Sequence, residues 1–302
     1  GAYAPDCVTA RSWFTTVWDI TKPTNRTTNN PASTIAFPGV GTNYRIDWED
    51  VDNPTLAGHH GTVTVPLSSA TSPYYLAVPS GITKVRIKAY KAAGTFDGFA
   101  HDYFAPNDRE RLISVEQWGT TVWHTLVDAF RQCKNMDVLA QDRPNLSACT
   151  NLSNMFVNCE SFQNTNSSIS AWNTSNITTM KNLFNGASLF NQPLNSWDVS
   201  HVTNMSNVFT GALAFNQPLN NWDTRSVTNM YALFLEAKSF NQDINSWNTA
   251  SVTDMRYMFY DATSFNQPLD SFKINAITDM SGMLAFCGMS CENLSSTLDS
   301  WK

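Results

Sequence analysis

The sequence has few charged residues, no long apolar run and no surplus of basic side chains. Asp, Glu, Lys and Arg make up only 15% of the 302 residues, against about a quarter in most soluble domains. No run reaches the roughly 18 apolar residues that a bilayer span needs, so we expect no membrane-spanning segment. The net charge of −6 argues against a nucleic-acid partner, because phosphate neutralisation requires an excess of Lys and Arg.

Recognisable catalytic and metal-binding motifs are also missing. The chain contains no G-x-S-x-G, no H-E-x-x-H and no P-loop. His59 and His60 are adjacent, but a metal site needs several converging ligands and no spaced Cys or His accompanies them. Four acids that could form an acid–base pair are interpreted as solvated charges of a polar linker: Asp97, Asp102, Asp108 and Glu110. We therefore expect a protein that is not an enzyme, with no catalytic residue, metal site or cofactor.

What the sequence does contain is an internal repeat with a period of 25 residues. Three apolar columns keep this spacing: Phe190, Phe215, Phe240 and Phe265; Trp172, Trp197, Trp222 and Trp247; and Met180, Met205, Met230, Met255 and Met280. Weaker copies reach back to Trp118 and Phe130, which gives about seven units between residues 112 and 290. One unit of this length cannot bury its own apolar face, so a stacked array, a solenoid, is expected.

Each unit is predicted to contain a short helix. Met205, Val208, Phe209 and Ala212 follow the i, i+3, i+4, i+7 spacing of an amphipathic helix. Thr203 precedes them as a candidate N-cap. Gly186 and Gly211, which stand at equivalent positions of successive units, suit a helix end. A short extended stretch around each tryptophan completes the unit.

The N-terminal region has a different pattern, in which short β-type runs alternate with Gly, Pro, Asn and Ser clusters. This pattern predicts a small antiparallel β-sandwich over about residues 10–105. The expected fold is therefore α+β, a β-sandwich domain over residues 1–110 followed by a solenoid with a C-terminal cap over residues 111–302. The cap is inferred because Phe272 and Leu284 replace the Trp and Phe of the last unit.

The repeat resembles the bacterial-surface-protein type of leucine-rich repeat, the 25-residue class also called the DUF285 or mycoplasma lipoprotein-type repeat. The matching residues are Phe215-Asn-Gln-Pro-Leu219, Trp222-Asp-Thr and Val227-Thr-Asn-Met230. Tyr44-Arg-Ile-Asp-Trp48 is similar to the PKD-like domain that often precedes such repeats. The resemblance implies a secreted or cell-surface protein that acts in adhesion, matrix building or recognition. It implies no catalytic residues.

Six cysteines and eight sequons bear on the compartment. An even cysteine count permits three disulfides, with Cys133–Cys159, Cys287–Cys291 and Cys7–Cys149 as the candidate pairs, although buried free thiols are the alternative. The glycosylation candidates are Asn25, Asn145, Asn151, Asn166, Asn173, Asn176, Asn204 and Asn293. Together they favour a secreted, disulfide-bonded glycoprotein.

Two functions are consistent with these features. The first is a structural or adhesive subunit at the cell surface, with self-assembly into a filament or coat as one form of it. The second is a recognition module that binds a peptide or a glycan, for which Tyr231, Tyr257 and Tyr260 are candidates because they break the repeat where neighbouring units are small. The expected partners are other proteins, copies of the same chain, or surface glycans. The asparagines that follow each repeat phenylalanine are interpreted as an internal ladder rather than as a glycan-binding surface.

Overall fold

A computed structural model describes residues 12–30, 32–101, 107–166 and 168–302. In these residues the strands are β1 (Phe14–Asp19), β2 (Thr34–Phe37), β3 (Gly39–Asp50), β4 (His60–Ser68), β5 (Tyr74–Ala77), β6 (Lys84–Tyr90), β7 (Thr95–Phe99), β8 (Leu112–Gln117) and β9 (Asp137–Val138). Two short 3₁₀ helices lie at Arg109–Arg111 and Ser168–Ala171, and one α-helix, α1, spans Cys291–Ser300. No helix among the described residues is long and apolar enough to cross a bilayer.

The N-terminal strands form an open seven-stranded sheet in the order β4-β3-β6-β1-β8-β9, with β7 paired to β3. The strand pairs are antiparallel except for the parallel pair β8 and β9. β6 shows why the sheet has one buried face, because Val85, Ile87 and Ala89 alternate with more exposed residues. β2 and β5 make a separate two-stranded sheet.

The expected α+β fold, a sandwich followed by a leucine-rich-repeat-like solenoid, is wrong. The described residues consist mostly of strands, bridges and turns, and α1 is their one α-helix. The N-terminal strands belong mainly to one large open sheet rather than to two comparable sheets. The helix predicted in each repeat is replaced by consecutive turns. The predicted domain boundary near residue 110 is a separate matter and stays a prediction.

Backbone hydrogen bonds join each repeat to the next. Isolated parallel bridges link Asn151, Thr179, Asn204, Asn229, Asp254 and Asp279 in succession. On either side of these bridges, amides bond to carbonyls about one repeat away, for example Thr203 N to Thr178 O at 2.8 Å and Phe209 N to Leu233 O at 2.9 Å. We call residues 122–288, which these bonds connect, the repeat array. Its register is thus fixed by main-chain groups as well as by side-chain packing.

Left-handed residues explain why the helical spacing does not produce helices. Residues with φ between 51° and 72° occur in pairs four positions apart, at 128/132, 154/158, 182/186, 207/211, 232/236, 257/261 and 282/286. A residue in this region interrupts a right-handed helix. Met205, Val208 and Phe209 are nevertheless buried. Consecutive turns can direct every third or fourth side chain toward the core, as a helix does.

One core runs through both parts of the chain. In the array, Phe209 stacks on Phe234 with ring centroids 5.5 Å apart and on Phe215 at 4.0 Å. At the junction with the sheet, Trp118 contacts Phe14 at 5.7 Å and Trp172 at 5.3 Å. Burial of each aromatic ring contributes about 1.5–3 kcal/mol, so the seven-stranded sheet and the repeat array stabilise each other.

Two polar ladders accompany the aromatic ones. Asn241 Oδ1 accepts the backbone N–H of Asn266 at 2.8 Å and the side-chain amide of Gln267 at 3.0 Å, and Asn191 and Asn216 repeat the pattern in their units. This confirms the interpretation of the Asn column as an internal ladder. Indole N–H groups make the second ladder, in which Trp197, Trp222 and Trp247 each donate to a carbonyl of the preceding unit at 2.9 Å.

Helix α1 takes the place of a further repeat at the C-terminal end. Asn266 Oδ1 accepts from Ser290 N and from Asn293 Nδ2, as the other ladder asparagines accept from the next unit's Asn and Gln. The buried Thr297 Oγ1 accepts the amide of Leu269 at 3.0 Å, and the Trp301 indole donates to the Leu269 carbonyl at 3.3 Å. The C-terminal segment therefore gives Asn266 and Leu269 hydrogen bonds that another repeat would otherwise supply.

Replacing Asn241 by Ala tests the contribution of the Asn ladder. We expect a loss of about 1–3 kcal/mol in the free energy of unfolding, because Asn266 N loses its acceptor and Gln267 Nε2 keeps only the Asn241 carbonyl at 3.2 Å. Asn221→Ala is the matched control, since the exposed Asn221 side chain makes no hydrogen bond within the described residues, and it should change stability by less than about 0.5 kcal/mol. Urea unfolding measures both, and equal effects would contradict the ladder's role.

Candidate binding surface

The five described cysteines are free thiols, so the structure contains neither the Cys133–Cys159 nor the Cys287–Cys291 pair. Cys7, the predicted partner of Cys149, lies outside the described residues. Burial raises the pKa of the Cys133, Cys149 and Cys159 thiols. Buried thiols held in the protonated form are poor nucleophiles, so these three side chains act here as core-packing groups.

Two of the other sequence candidates, His59 and Asp108, each pair with a different side chain. His59 Nδ1 is 2.7 Å from a carboxylate oxygen of the buried Asp50. Asp108 is not solvated, contrary to the prediction, because it is fully buried and ion-paired to Arg26 at 2.7 Å; Asp102 lies outside the described residues. Within those residues no group of three His, Cys, Asp or Glu side chains could hold a metal ion.

The sequons divide by the state of their side-chain nitrogen, the atom to which a glycan is attached. Asn166 Nδ2 donates to two carbonyls at 2.9 Å, Asn293 Nδ2 donates to Asn266, and Asn176 Nδ2 donates to Ser147 O. Five others use only Oδ1 in hydrogen bonds with described residues: Asn25, Asn145, Asn151, Asn173 and Asn204. Asn25, Asn145 and Asn173 are also exposed.

Aromatic side chains that depart from the repeat meet on the outside of the array. Tyr231 contacts Tyr257 edge-on at 6.0 Å, Tyr257 contacts Tyr260 at 5.8 Å, and Tyr260 contacts Phe286 at 5.3 Å. We call these four residues the aromatic patch. Phe286 is 72% exposed and Tyr257 is 37% exposed. Exposed rings in mutual contact are typical of binding surfaces, because they bury large area at low entropic cost.

Charged groups border the patch. The Arg256 guanidinium lies 5.2 Å from the centre of the Tyr231 ring, and its Nη2 is 2.7 Å from a carboxylate oxygen of Asp254. Arg256 Nε is 3.8 Å from Asp279. The hydrogen bond from Arg256 lowers the pKa of Asp254, and the hydrogen bond from Ser281 lowers that of Asp279. Both carboxylates are therefore ionised at neutral pH.

Gly282 lets Tyr257 lie close to the backbone of the next unit. A Cβ atom on Gly282 would come within 2.7 Å of two Tyr257 ring carbons, and its φ of +67° also favours glycine. Tyr257 itself is left-handed, with φ of 57°. The position of the central ring of the patch thus depends on a missing side chain in the neighbouring unit.

Sequence reasoning found three of the four patch residues and missed Phe286 and the adjacent Arg256. The signal was present in the aligned columns. Phe286 stands where earlier units have Gly186, Gly211, Glu236 and Asp261. The loss of glycine at an outward, left-handed position is a departure that the column itself reveals.

A protein-family comparison matches this chain over two segments. A family described as Mycoplasma protein of unknown function, DUF285, matches residues 124–222 and 195–301. These segments cover more than half of the chain and include the aromatic patch. The chain belongs to the DUF285 family. The matches begin at residue 124, so the PKD-like part of the resemblance is not confirmed, nor is its leucine-rich-repeat part. No curated protein and no solved structure matches the chain.

Gly282→Ala should be more harmful than Gly211→Ala. Both glycines are left-handed, so each change costs about 1–2 kcal/mol in backbone strain. At Gly211 the nearest atom to an added Cβ is 3.8 Å away, whereas at Gly282 the added methyl also displaces Tyr257. Urea unfolding should show the larger loss for Gly282→Ala, and the NMR ring signals of Tyr257 should shift only in that variant. Equal losses with unchanged Tyr257 signals would contradict this contact.

Glycosylation should follow the hydrogen bonding of the sequons. In folded protein secreted by a eukaryotic host, we expect glycans on Asn145 and Asn173 and unmodified side chains at Asn166 and Asn293. Attachment at the last two would remove hydrogen bonds to Leu139, Ala140 or Asn266, at about 1 kcal/mol each. Glycopeptide mass spectrometry of the secreted protein measures occupancy, and full occupancy of Asn166 would refute the expectation.

Proposed function

We propose that this protein is a non-enzymatic, secreted or cell-surface scaffold whose repeat array presents the aromatic patch to a binding partner. The observation that carries the proposal is the contact of Tyr231, Tyr257, Tyr260 and Phe286 on an outward face. Aromatic rings are not needed at these positions to stack the units, because the equivalent residues in earlier units are small or polar, apart from Leu235 in the column of Tyr260. We therefore assign these four side chains to contact with a binding partner.

The array suits this role because it holds an outward surface on a fixed backbone. Main-chain bonds run from unit to unit beneath the patch, such as Tyr257 N to Ser281 O at 3.0 Å and Asn207 N to Tyr231 O at 2.9 Å. A surface held this way loses little conformational entropy when it binds. The density of sequons is in keeping with the proposed extracellular location, and adhesion through the patch is the form of the structural function that we favour.

Self-assembly into a filament or coat has less support than adhesion, because of the C-terminal end of the array. Helix α1 lies beyond residue 288, and it and its N-cap Ser290 bond to Asn266 and Leu269 of the array. End-to-end growth through that surface would require α1 to leave. Size-exclusion chromatography with light scattering distinguishes the two forms, since a strict monomer at high concentration would contradict filament formation.

The test is a binding screen with matched variants. Wild-type protein, the double variant Tyr257→Ala/Phe286→Ala, and the control Leu189→Ala/Leu213→Ala are applied to a peptide library and a glycan array. Leu189 and Leu213 are 49% and 44% exposed apolar residues outside the patch. We expect ligands of the wild type and the control to lose at least about tenfold in affinity with the patch variant.

Both patch substitutions retain an L-residue at left-handed positions, so they add no new backbone strain. Urea unfolding checks that the double variant keeps its fold. If no ligand in either library is lost in the folded patch variant, the aromatic patch is not the binding surface and the proposal fails.

A further inference from the structure

The end of the array that carries the patch is acidic. Residues 195–302 contain ten Asp and Glu side chains but only five Lys and Arg. Acids lie on both sides of the aromatic rings in the order of the chain. Asp254 and Asp279 precede the patch residues of their units, while Glu236 and Asp261 follow them. An apolar surface bordered by carboxylates attracts a partner of positive charge.

Two of these carboxylates are only weakly neutralised by basic side chains of the protein. Glu236 is exposed and has no ion pair or side-chain hydrogen bond with the described residues, and its backbone N–H bonds to Tyr260 O at 2.8 Å, which places it beside the patch. Asp279 is 44% exposed, and its nearest cation is Arg256 at 3.8 Å. By contrast, Asp254 and Asp261 pair closely with Arg256 and Lys238.

Arg256 shows how this surface holds a cation. Its guanidinium lies 5.2 Å from the Tyr231 ring centre while it bonds to Asp254 at 3.0 and 2.7 Å. The next ring along, Tyr257, has no cation over it among the described residues. Backbone bonds connect its unit to both flanking acids, because Glu236 N bonds to Tyr260 O and Tyr257 N bonds to the carbonyl of Ser281, whose own N–H bonds to Asp279. A tyrosine face with a nearby carboxylate is a favourable site for a guanidinium or an ammonium group.

We infer that the aromatic patch binds a polypeptide segment rich in Arg or Lys, with a basic side chain held over Tyr257 between Glu236 and Asp279. The inference rests on the proposed function, since it names the partner of the same surface. A neutral glycan could stack on the rings but would gain little from the surplus of carboxylates. An acidic partner would be repelled by them.

The experiment measures fluorescence anisotropy with two synthetic peptides, one of alternating Gly and Arg and one in which citrulline, the neutral isostere, replaces every Arg. We expect the Arg peptide to bind at least about tenfold more tightly at low ionic strength. The difference should shrink as salt is added, because the flanking acids are exposed and screened.

Two substitutions locate the site. Tyr257→Ala should weaken Arg-peptide binding at least about fivefold. Asp279→Asn should weaken it about threefold without disturbing the turn, because Asn204 and Asn229 make the same Oδ1 bond at the equivalent positions. Asp243→Asn is the matched control, as it removes the same charge from a similar turn in the segment between Phe240 and Trp247, and it should leave binding unchanged.

The outcomes separate this inference from the proposed function. Equal binding of both peptides, no binding of either, or equal effects of Asp279→Asn and Asp243→Asn would overturn the basic partner. A neutral glycan or neutral peptide that binds the wild type and is lost in Tyr257→Ala would also overturn it, while leaving the patch as the binding surface. Discrimination between the peptides that depends on both Tyr257 and Asp279 supports the inference.

Discussion

The structure depends on hydrogen bonds between backbone groups one repeat apart. Thr203 N bonds to Thr178 O, and Thr228 N bonds to Thr203 O. Each unit thus donates a hydrogen bond to the preceding unit and accepts one from the next. The aromatic stacks follow from this register, since identical rings lie one above another only if the units are in step. The Asn ladder adds a side-chain acceptor at each step. At the end of the array, α1 and its N-cap Ser290 donate the corresponding hydrogen bonds to Asn266.

The periodicity predicted much of the packing but not the local conformation. The columns of Phe, Trp and Met are buried, except that Met280 in the last unit is only partly buried. The Asn column forms the ladder that the sequence suggested. The prediction of a helix in each unit was wrong, because more than one backbone conformation is compatible with the spacing of Met205, Val208, Phe209 and Ala212. Asn207 and Gly211 at left-handed φ decide between those paths, and both residue types also occur at helix ends, so the sequence alone was ambiguous there.

The candidate surface was predicted in part for a related reason. Tyr231, Tyr257 and Tyr260 could be recognised as departures from the columns, but nothing in the spacing shows that residues from three successive units touch. To predict this contact one would need the rise from one unit to the next and the left-handed turn that brings Tyr257 over Gly282. The N-terminal sheet was harder still, because the strand order depends on pairing between distant segments such as β1 and β8. Short runs with weak alternation contain little information about their partners.

Backbone strain gives a further reason to connect the patch with function. In two earlier units the left-handed positions hold Asn182, Gly186, Asn207 and Gly211, the residue types that adopt this conformation most readily. From residue 232 onward these positions hold Ala232, Glu236, Tyr257, Asp261, Gly282 and Phe286. Ala, Glu, Tyr and Phe in this conformation each cost about 1–2 kcal/mol relative to glycine. The array holds these residues in place through main-chain bonds such as Glu236 N to Tyr260 O. Three of these four residues, Glu236, Tyr257 and Phe286, have side chains that form or border the proposed binding surface, and functional sites are where proteins retain strain that stability alone does not require.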